Sequence, residues 1–519
     1  MRSNDNGVLP IYRKSSYCVD ARVEDLISRM TLEEKAGQLF QTQLYQGPNG
    51  MLHEGDSTTN STDNLIGEKH MTHFNLVGDI TDARQVAEFV NLVQQRALDT
   101  RLGIPWPAQW PETLGLAALR DVDLVKKFAE VAREEYIAVG IRSALHPQVD
   151  LATEPRWARL GNTWGENATL TSELLVAYIQ GFQGKELGPP SVTTITKHFP
   201  GGGPMQGGED SHFTYGKNQT YPGRNFEYHL QPFKAAIAAG ARQMMPYYSR
   251  PTGTMYEPVG FSFNKQIGTD LLRRQLGFKG IVVTDWGLIT DTVILGQDMP
   301  ARAWGLENTT ELQRVARILD AGCDQFGGEQ RPELVVQLVK EGVVAEERLD
   351  DSLRRLLREK FILGLFDRPF VDPEAAARIV GNDYFARLGN DTQRRAYTLL
   401  ADKNGILSML QSEKARQASI YSRAPTIVDI NMDRPAAIPE VVDAAAAVLA
   451  SYGSGGEAFL DVVFGINEPE GKLPFDLPRS MHAVVESMED VPYDTKDPVF
   501  RFGHGLRYTR HCETAEVRR

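Results

Sequence analysis

The chain has 519 residues, of which 41% are hydrophobic and 24% are charged, so it is long enough for two or more domains with ordinary globular cores. Its formal net charge of −12 argues against a nucleic acid or an anionic membrane as a partner. The sequence contains no run of about 18 apolar residues, so it predicts no membrane-spanning helix.

The first 190 residues are predicted to be mainly helical after a polar lead-in over residues 1–20. Apolar spacing predicts a helix over residues 23–41, in which Thr31 and Glu34 match the ends of a capping box. Residues 43–72 are rich in Gly, Asn, Ser and Thr and are predicted to form a long surface loop. The other elements predicted in this part are helices over 82–98, 121–139 and 170–182, and a strand over 144–150.

Three apolar, β-rich runs between residues 193 and 286 each end abruptly in polar side chains. Helix-like segments at 225–239 and 265–276 separate the runs, an alternation typical of a parallel α/β fold. Functional groups in such folds collect at the carboxyl ends of the strands. The side chains at the ends of these three runs suit a polyhydroxylated, uncharged ligand, and Asp285 among them is a candidate nucleophile. The strand-end residues are Lys197 and His198 after 193–196, Tyr247 and Tyr248 after 243–245, and Asp285 and Trp286 after 280–284.

The alternation of strands and helices continues to residue 340 and predicts a (β/α)8 barrel of TIM type. A helical pair is predicted over 345–366. The last part of the chain is predicted to be helix-rich from 381 to 410, with a strand over 425–430 and an Ala-rich helix over 441–452 that ends at Gly453. It has too few strands for a full doubly wound sheet. The predicted domains are a lead-in over 1–20, the barrel over 21–367 and an incomplete second domain over 381–519.

A series of motifs runs through the chain in a fixed order. They are residues 30–38 (MTLEEKAGQ), Asp150 to Arg159, Lys197 to Gly203, Thr284 to Trp286, residues 471–475 and residues 502–508. Together they resemble glycoside hydrolase family 3. The resemblance implies an (α/β)8 barrel followed by an α/β sandwich, here truncated, and exo-acting, retaining hydrolysis of β-glucosides or related β-glycosides. The expected partner is therefore a β-linked oligosaccharide or glycoside.

The resemblance also implies roles for individual residues. Asp285 is expected to attack the anomeric carbon and to form a glycosyl-enzyme intermediate. Structural roles stay open beside the chemical ones, because a strand-end Asp can cap a helix, an Arg can form a structural ion pair and an indole is often only core. The expected substrate-binding residues are Arg159, Lys197 and His198 at sugar hydroxyls, Tyr248 near the nucleophile, and Trp286 against the sugar ring.

Two segments that the family normally carries are missing. After residues 102–105 the family has a strand that ends in an Asp gripping the sugar's distal hydroxyls, whereas here residues 106–112 lead directly into the next helix. The second gap lies between Leu410 and Ala418, where the family has further βα units and commonly a Glu that acts as general acid/base. An incomplete gene annotation would also explain both gaps.

The group that transfers protons as general acid/base must therefore come from another part of the chain. Retaining hydrolysis usually uses two carboxyl groups about 5–5.5 Å apart. Glu209, Asp210 and His212 are the candidates on the loop after the Lys-His motif. One branch of the family uses an Asp/His pair on this loop as its acid/base, and other members carry such residues for loop structure or ligand contact. Both roles stay open for Asp210 and His212.

Three functions are compatible with these residues. The first is a β-glucosidase-type hydrolase. The second is a sugar-binding pseudoenzyme that keeps the pocket but lacks the acid. The third is a metal-dependent barrel hydrolase using His198, His212 and Asp285, which the absence of a His-x-His or His-x-x-x-His pair among these residues disfavours.

The compartment is not settled by the sequence. Residues 1–7 have no apolar stretch of the kind that a secretion signal needs, which favours the cytoplasm. Five Asn-x-Ser/Thr sequons leave secretion open. The cysteines at 18, 323 and 512 are too few and too far apart for a disulfide framework or a zinc site. No metal or other cofactor is expected, and the sequence leaves a homodimer open.

Overall fold

The larger part of the chain is built around a curled sheet, in which the described residues form seven parallel strands. The computed structural model describes residues 10–56, 59–77, 82–99, 113–294, 297–403 and 424–508. The strands of the sheet are β1 (Phe40–Tyr45), β2 (His73–Val77), β3 (Ser143–Ala144), β4 (Thr193–Phe199), β5 (Gln243–Pro246), β6 (Ile281–Trp286) and β7 (Gln325–Gly327).

The strands follow one another around the sheet in the order of a barrel. The order is β2-β1-β7-β6-β5-β4-β3, and every neighbouring pair is parallel. Taken cyclically, the chain order is interrupted only between β2 and β3, the two edges of the described sheet. The eighth strand of a (β/α)8 barrel belongs at that position. Residues 100–112, where the sequence predicts the loss of a strand, lie outside the described residues.

Helices pack against one another along the outside of this sheet, with Val122–Ala138 (α5) on Ala168–Gln183 (α6), the latter on Phe226–Ala238 (α7), and Glu311–Ala321 (α8) on Pro332–Lys340 (α9). A π-helix (Gln266–Gln275) follows α7 in the chain. The helices of this part are α1 (Val19–Ile27), α2 (Leu32–Gln38), α3 (Ala83–Asp99), α4 (Thr113–Leu119), α5 (Val122–Ala138), α6 (Ala168–Gln183), α7 (Phe226–Ala238), α8 (Glu311–Ala321), α9 (Pro332–Lys340) and α10 (Glu346–Ile362).

Three sequence predictions in this part are corrected by the structure. The capping box is present, because Thr31 accepts from the backbone N–H of Glu34 and Glu34 accepts from that of Thr31. A capping box starts a helix, so the helix predicted over 23–41 is two helices, and residues 40–41 already belong to β1. The loop predicted over 43–72 contains the end of β1 and a π-helical turn over Asn64–Glu68. The helical pair predicted over 345–366 is the single helix α10, whose buried leucines form one continuous face.

In its described residues, the second domain contains a sheet of three strands. They are β8 (Thr398–Asp402), β9 (Ile427–Asn431) and β10 (Ala447–Ser451), with β10 in the centre, antiparallel to β8 and parallel to β9. The helices here are α11 (Pro373–Ile379), α12 (Asp383–Ala396), α13 (Pro439–Ala444), α14 (Gly456–Val463) and α15 (Met481–Glu486). The second predicted gap, between 410 and 418, falls outside the described residues. The predicted boundary between 367 and 381 stays a prediction.

The helix predicted over residues 441–452 is wrong. Only α13 is helical there, and the following Ala-rich segment is β10, the central strand of the small sheet. All five residues of β10 are buried. A strand covered on both faces shows no alternation of apolar and polar residues, so its pattern resembles that of a buried helix.

The segment that follows the small sheet returns to the barrel. The carboxylate of Asp490 is fully buried and accepts from the backbone N–H groups of Gly223 at 2.8 Å and Asn225 at 2.7 Å. Glu166, which precedes α6, accepts from the backbone N–H groups of Asp476 at 2.6 Å and Tyr493 at 2.9 Å. These buried hydrogen bonds join the second domain to the barrel loops. Among the described helices, none is long and apolar enough to cross a membrane.

Candidate active site

The polar residues predicted at strand ends lie together at one edge of the sheet. β4, β5 and β6 are neighbours, and the register pairs Lys197 with Met245 and Met244 with Val282. Inside the sheet, Ile195, Met245 and Val283 form a small apolar cluster. Since all three strands run in the same direction, the residues that follow this cluster meet at the carboxyl edge.

His198, the penultimate residue of β4, is held between two carboxylates. Its Nδ1 donates to Oδ2 of Asp150 at 2.7 Å, and its Nε2 lies 3.6 Å from Oδ2 of Asp285. Burial, followed by the charge of Arg159, lowers the pKa of His198 well below its usual value. The imidazole is therefore neutral with its proton on Nδ1, which leaves Nε2 as an acceptor for a hydroxyl group.

Asp285 is a buried carboxylate that stays ionised. Its Oδ1 accepts from the backbone N–H of Trp286 at 2.9 Å, and its buried Oδ2 accepts no hydrogen bond in the described part of the chain. Burial opposes ionisation, but the surrounding positive groups, Arg159 and Lys197 among them, hold the pKa of Asp285 below its usual value. A desolvated carboxylate with one free oxygen is suited to nucleophilic attack.

Two cationic side chains of the pocket, Lys197 and Arg159, have hydrogen-bond donors available for a ligand. Burial, followed by repulsion from Arg159, lowers the pKa of Lys197 to about 8. Nη1 of Arg159 is buried and has no hydrogen-bond partner in the described residues, and its guanidinium carbon lies 5.7 Å from the ring centroid of Tyr247. Buried donors without partners are costly unless a ligand completes them, so these side chains are available to sugar hydroxyls.

Tyr248 and Trp286 lie beside Asp285. The phenol oxygen of Tyr248 accepts from the backbone N–H of Trp286 at 3.1 Å, and burial, together with the charge of Asp285, raises the pKa of Tyr248 well above its usual value. The indole of Trp286 packs on a pair of glycines, because a Cβ atom on Gly328 would lie 2.4 Å from its Cδ1. No larger residue would fit there without moving the ring.

The loop after β4 brings Asp210 and His212 to the same place. Nδ1 of His212 donates to Oδ1 of Asp210 at 2.6 Å, and the two rings of His212 and Tyr248 meet edge to face with centroids 4.6 Å apart. Since Tyr248 also bonds the backbone N–H of Trp286, the residue next to Asp285, this contact places the pair in the pocket. Glu209, the third candidate, is exposed, and its side chain forms no hydrogen bond within the described ranges.

Two residues of the pocket were not predicted from the sequence. Asp150 is the last residue of the strand predicted over 144–150, where the structure has only the two-residue strand Ser143–Ala144 and a bridge at Gln148. Its position after an apolar run was a usable signal, since the same rule identified Asp285. Arg302 lies in a loop without any motif, and only its contacts in space, described below, place it beside the other residues.

The arrangement of the pocket's acidic and imidazole side chains bears on metal binding. Among the residues that the structure describes, no group of three or more His, Cys, Asp or Glu side chains is arranged to hold a metal ion. His198 instead directs its two ring nitrogens toward Asp150 and Asp285.

A barrel that presents a free carboxylate among donors for hydroxyl groups has the chemistry of a glycosidase. Comparison with known proteins agrees with this class. Residues 31–359 match the glycosyl hydrolase family 3 N-terminal domain, and residues 380–508 match the C-terminal domain of the same family. The chain therefore belongs to glycosyl hydrolase family 3.

Individual relatives extend over nearly the whole chain. It is 60% identical to the probable β-glucosidase C of Aspergillus flavus, covering 98% of this chain and 93% of that protein. It is 35% identical to the periplasmic β-glucosidase/β-xylosidase of Dickeya chrysanthemi, covering 97% and 92%. The solved structure of a β-glucosidase from Erythrobacter marinus shares 20% identity with a TM-score of 0.77, covering 96% of this chain and 84% of that one. At that identity the last likeness shows the fold alone.

The length of the Aspergillus flavus alignment bears on the two missing segments. It spans 590 positions, 71 more than the 519 residues of this chain. In this alignment, at least 71 residues of the relative therefore face gaps in this chain. This excess supports the prediction that internal segments are missing.

Proposed function

We propose that this protein hydrolyses β-glucosides from the non-reducing end with retention of anomeric configuration, and that Asp285 is its nucleophile. The observation that carries the proposal is the state of Asp285: buried, ionised, and with Oδ2 free of hydrogen bonds in the described part of the chain. The similarity to β-glucosidases at 60% identity supports the substrate class. It gives no support to a sugar-binding protein without turnover.

In the first step, Oδ2 of Asp285 attacks the anomeric carbon and the glycosidic bond breaks. The bond between sugar and carboxylate forms as the aglycone leaves, which gives a covalent glycosyl-enzyme. Oδ1 keeps its hydrogen bond to the backbone N–H of Trp286, so the carboxylate is oriented with one oxygen forward. The nearby cations keep it ionised before attack.

Proton transfer falls to the Asp210–His212 pair. Nδ1 of His212 is bonded to Asp210, which leaves Nε2 to protonate the departing oxygen and then to deprotonate the water that attacks the intermediate. Although burial opposes it, the hydrogen bond from His212 holds the pKa of Asp210 below its usual value. An ionised Asp stabilises the imidazolium form, as it does in hydrolases that pair Asp with His.

The remaining pocket residues hold the sugar. Lys197 and Arg159 donate to hydroxyl oxygens, and Nε2 of His198 accepts from a hydroxyl hydrogen. Tyr248 steadies the end of β6 through its bond to the backbone N–H of Trp286. Trp286 offers an apolar ring against the apolar face of the sugar.

A mechanism-based label tests the proposal. A 2-fluoro-β-glucoside with a dinitrophenyl leaving group should inactivate the enzyme and label the peptide that contains Asp285, as read by mass spectrometry. Asp285→Asn should abolish both turnover and labelling. Asp320→Asn, which removes an exposed carboxylate paired with Lys265, should change neither. A label on another carboxylate, or an α-configured first product in NMR, would overturn the proposal.

A further inference from the structure

Arg302 is a buried cation for which the proposed mechanism has no use. It lies in the segment between β6 and α8 and is only 4% exposed. Within the described residues, its guanidinium forms no ion pair with a carboxylate. Buried arginines are normally paired, because removing a charge from water is costly. Its position therefore requires another explanation.

The contacts of Arg302 join the two halves of the pocket. Its Nε donates to the backbone carbonyl of His212 at 3.3 Å, and its Nη1 donates to that of Trp286 at 3.2 Å. Its own backbone N–H donates to the carbonyl of Gly287 at 2.9 Å. One side chain thus connects the loop that carries the proton-transferring pair with the strand end that carries Asp285.

Tyr248 fills the space between the same two elements. The guanidinium carbon of Arg302 lies 5.3 Å from the ring centroid of Tyr248, within the range of a cation–π interaction. The ring of Tyr248 also contacts that of His212, and its oxygen bonds the backbone N–H of Trp286. The guanidinium, the phenol and the imidazole therefore form one packed unit next to Asp285.

Gly287, the residue after Trp286, leaves room for the guanidinium of Arg302. Gly287 has a φ of 67°, in the left-handed region, and a Cβ atom added there would lie 2.8 Å from Nη1 of Arg302. Any other residue would be strained and would also push the guanidinium away from the carbonyl of Trp286.

We propose that Arg302 is a positioning residue that holds the Asp210–His212 pair at a fixed distance from Asp285, so that proton transfer to the leaving group depends on it. The inference rests on the proposed function. Arg302 acts through the carbonyls of His212 and Trp286 and not on the reacting atoms. A misplaced acid slows only the substrates whose leaving groups need acid assistance. The loss of Arg302 should therefore change how the rate depends on the leaving group.

The test compares Arg302→Met and Arg302→Lys with the unaltered enzyme on a series of aryl β-glucosides whose phenols range from acidic to weakly acidic. Acid assistance contributes about 10²–10⁴-fold in rate. We expect Arg302→Met to lose about 10²-fold in kcat/KM on the poorest leaving groups and about threefold or less on dinitrophenyl glucoside. Arg302→Lys should fall between, because an ammonium is a point charge without the planar fork of Arg.

Arg348→Met is the matched control. Arg348 also bridges backbone carbonyls, those of Leu319 and Cys323, but at the C-terminal end of α8. Its loss should lower the melting temperature and leave the leaving-group dependence unchanged. If Arg302→Met does not fold, Gly287→Ala takes its place in the test. The added Cβ displaces the guanidinium, so this variant should show the same selective loss of kcat/KM on poor leaving groups.

Two results would overturn the inference: an equal loss on every substrate in the Arg302 variants, or no loss on any. The function is judged separately, by the fluoro-glucoside label. A label away from Asp285 in the unaltered enzyme overturns the function itself. A label on Asp285 in both enzymes, with identical leaving-group dependence, overturns only the role of Arg302.

Discussion

Nδ1 of His198 lies 2.7 Å from Oδ2 of Asp150, and both side chains are buried. The other oxygen of Asp150 accepts from the backbone N–H groups of His198 at 3.1 Å and Gly202 at 2.5 Å. The Asp150 carboxylate therefore fixes which ring nitrogen of His198 carries the proton. It also holds the backbone after β4 in place. Orientation of this kind is needed for His198 to accept a hydrogen bond from the sugar.

Replacing Asp150 with Asn should leave the fold intact and lower activity. An amide in place of the carboxylate would present a donor to Nδ1 of His198 and would reverse the imidazole tautomer. A hydrogen bond to a charged group contributes about 1.5–3 kcal/mol, so kcat/KM for nitrophenyl glucoside should fall about tenfold to a hundredfold. An unchanged kcat/KM, with circular dichroism showing a folded protein, would contradict the orienting role.

Asp210→Asn and His212→Ala should separate proton transfer from loop ordering. If the pair transfers protons, both variants should lose most activity on poor leaving groups, and added azide should restore turnover by forming a glucosyl azide without base assistance. Acid and base assistance of this kind is worth about 10²–10⁴-fold. A uniform loss on all aryl glucosides, unrelieved by azide, would mean that the pair only orders the loop.

Glu166 should make stability depend on pH between 4.5 and 8. Burial raises the pKa of Glu166 from 4.5 to about 8 in the folded protein. Across this window the unfolded chain has released a proton that the folded chain retains, so the free energy of unfolding falls as the pH rises and levels off above about 8. Glu166→Gln should show a flatter decline of melting temperature over that range.

Glu186→Gln provides the control for this measurement. Glu186 is exposed, so its replacement should leave the pH dependence of melting as in the original protein. A Glu166→Gln variant that follows the original pH dependence would mean that another group titrates in this window.

Limited proteolysis should cut residues 400–519 before the barrel. Strand β9 pairs with β10 on one side, and in the described residues it has no partner on the other. None of its five residues is buried, and Asp429 and Asn431 are exposed. An incompletely covered edge strand opens more readily than a strand paired on both sides. Mass spectrometry of early fragments would contradict the prediction if the first cuts fall in the barrel loops.

The strand-end residues could be predicted from the sequence because the rule behind them is local. An apolar β-run followed by polar residues in a parallel α/β fold places those residues at one edge, which is why Lys197 and Asp285 were found. The contact between Asp150 and His198 spans 48 residues, and that between Arg302 and His212 spans 90. No local pattern encodes such contacts. Strand β10 was misassigned because its burial on both faces removes the periodicity.

Several of the hydrogen bonds that join the two domains lie outside the small sheet. They come from residues 476, 490 and 493, all of them beyond β10 in the chain. The second domain therefore has a docking part and a sheet part that can vary separately. Shortening the sheet does not remove these groups, so a chain with a shorter sheet keeps the hydrogen bonds that fasten its last segment to the barrel.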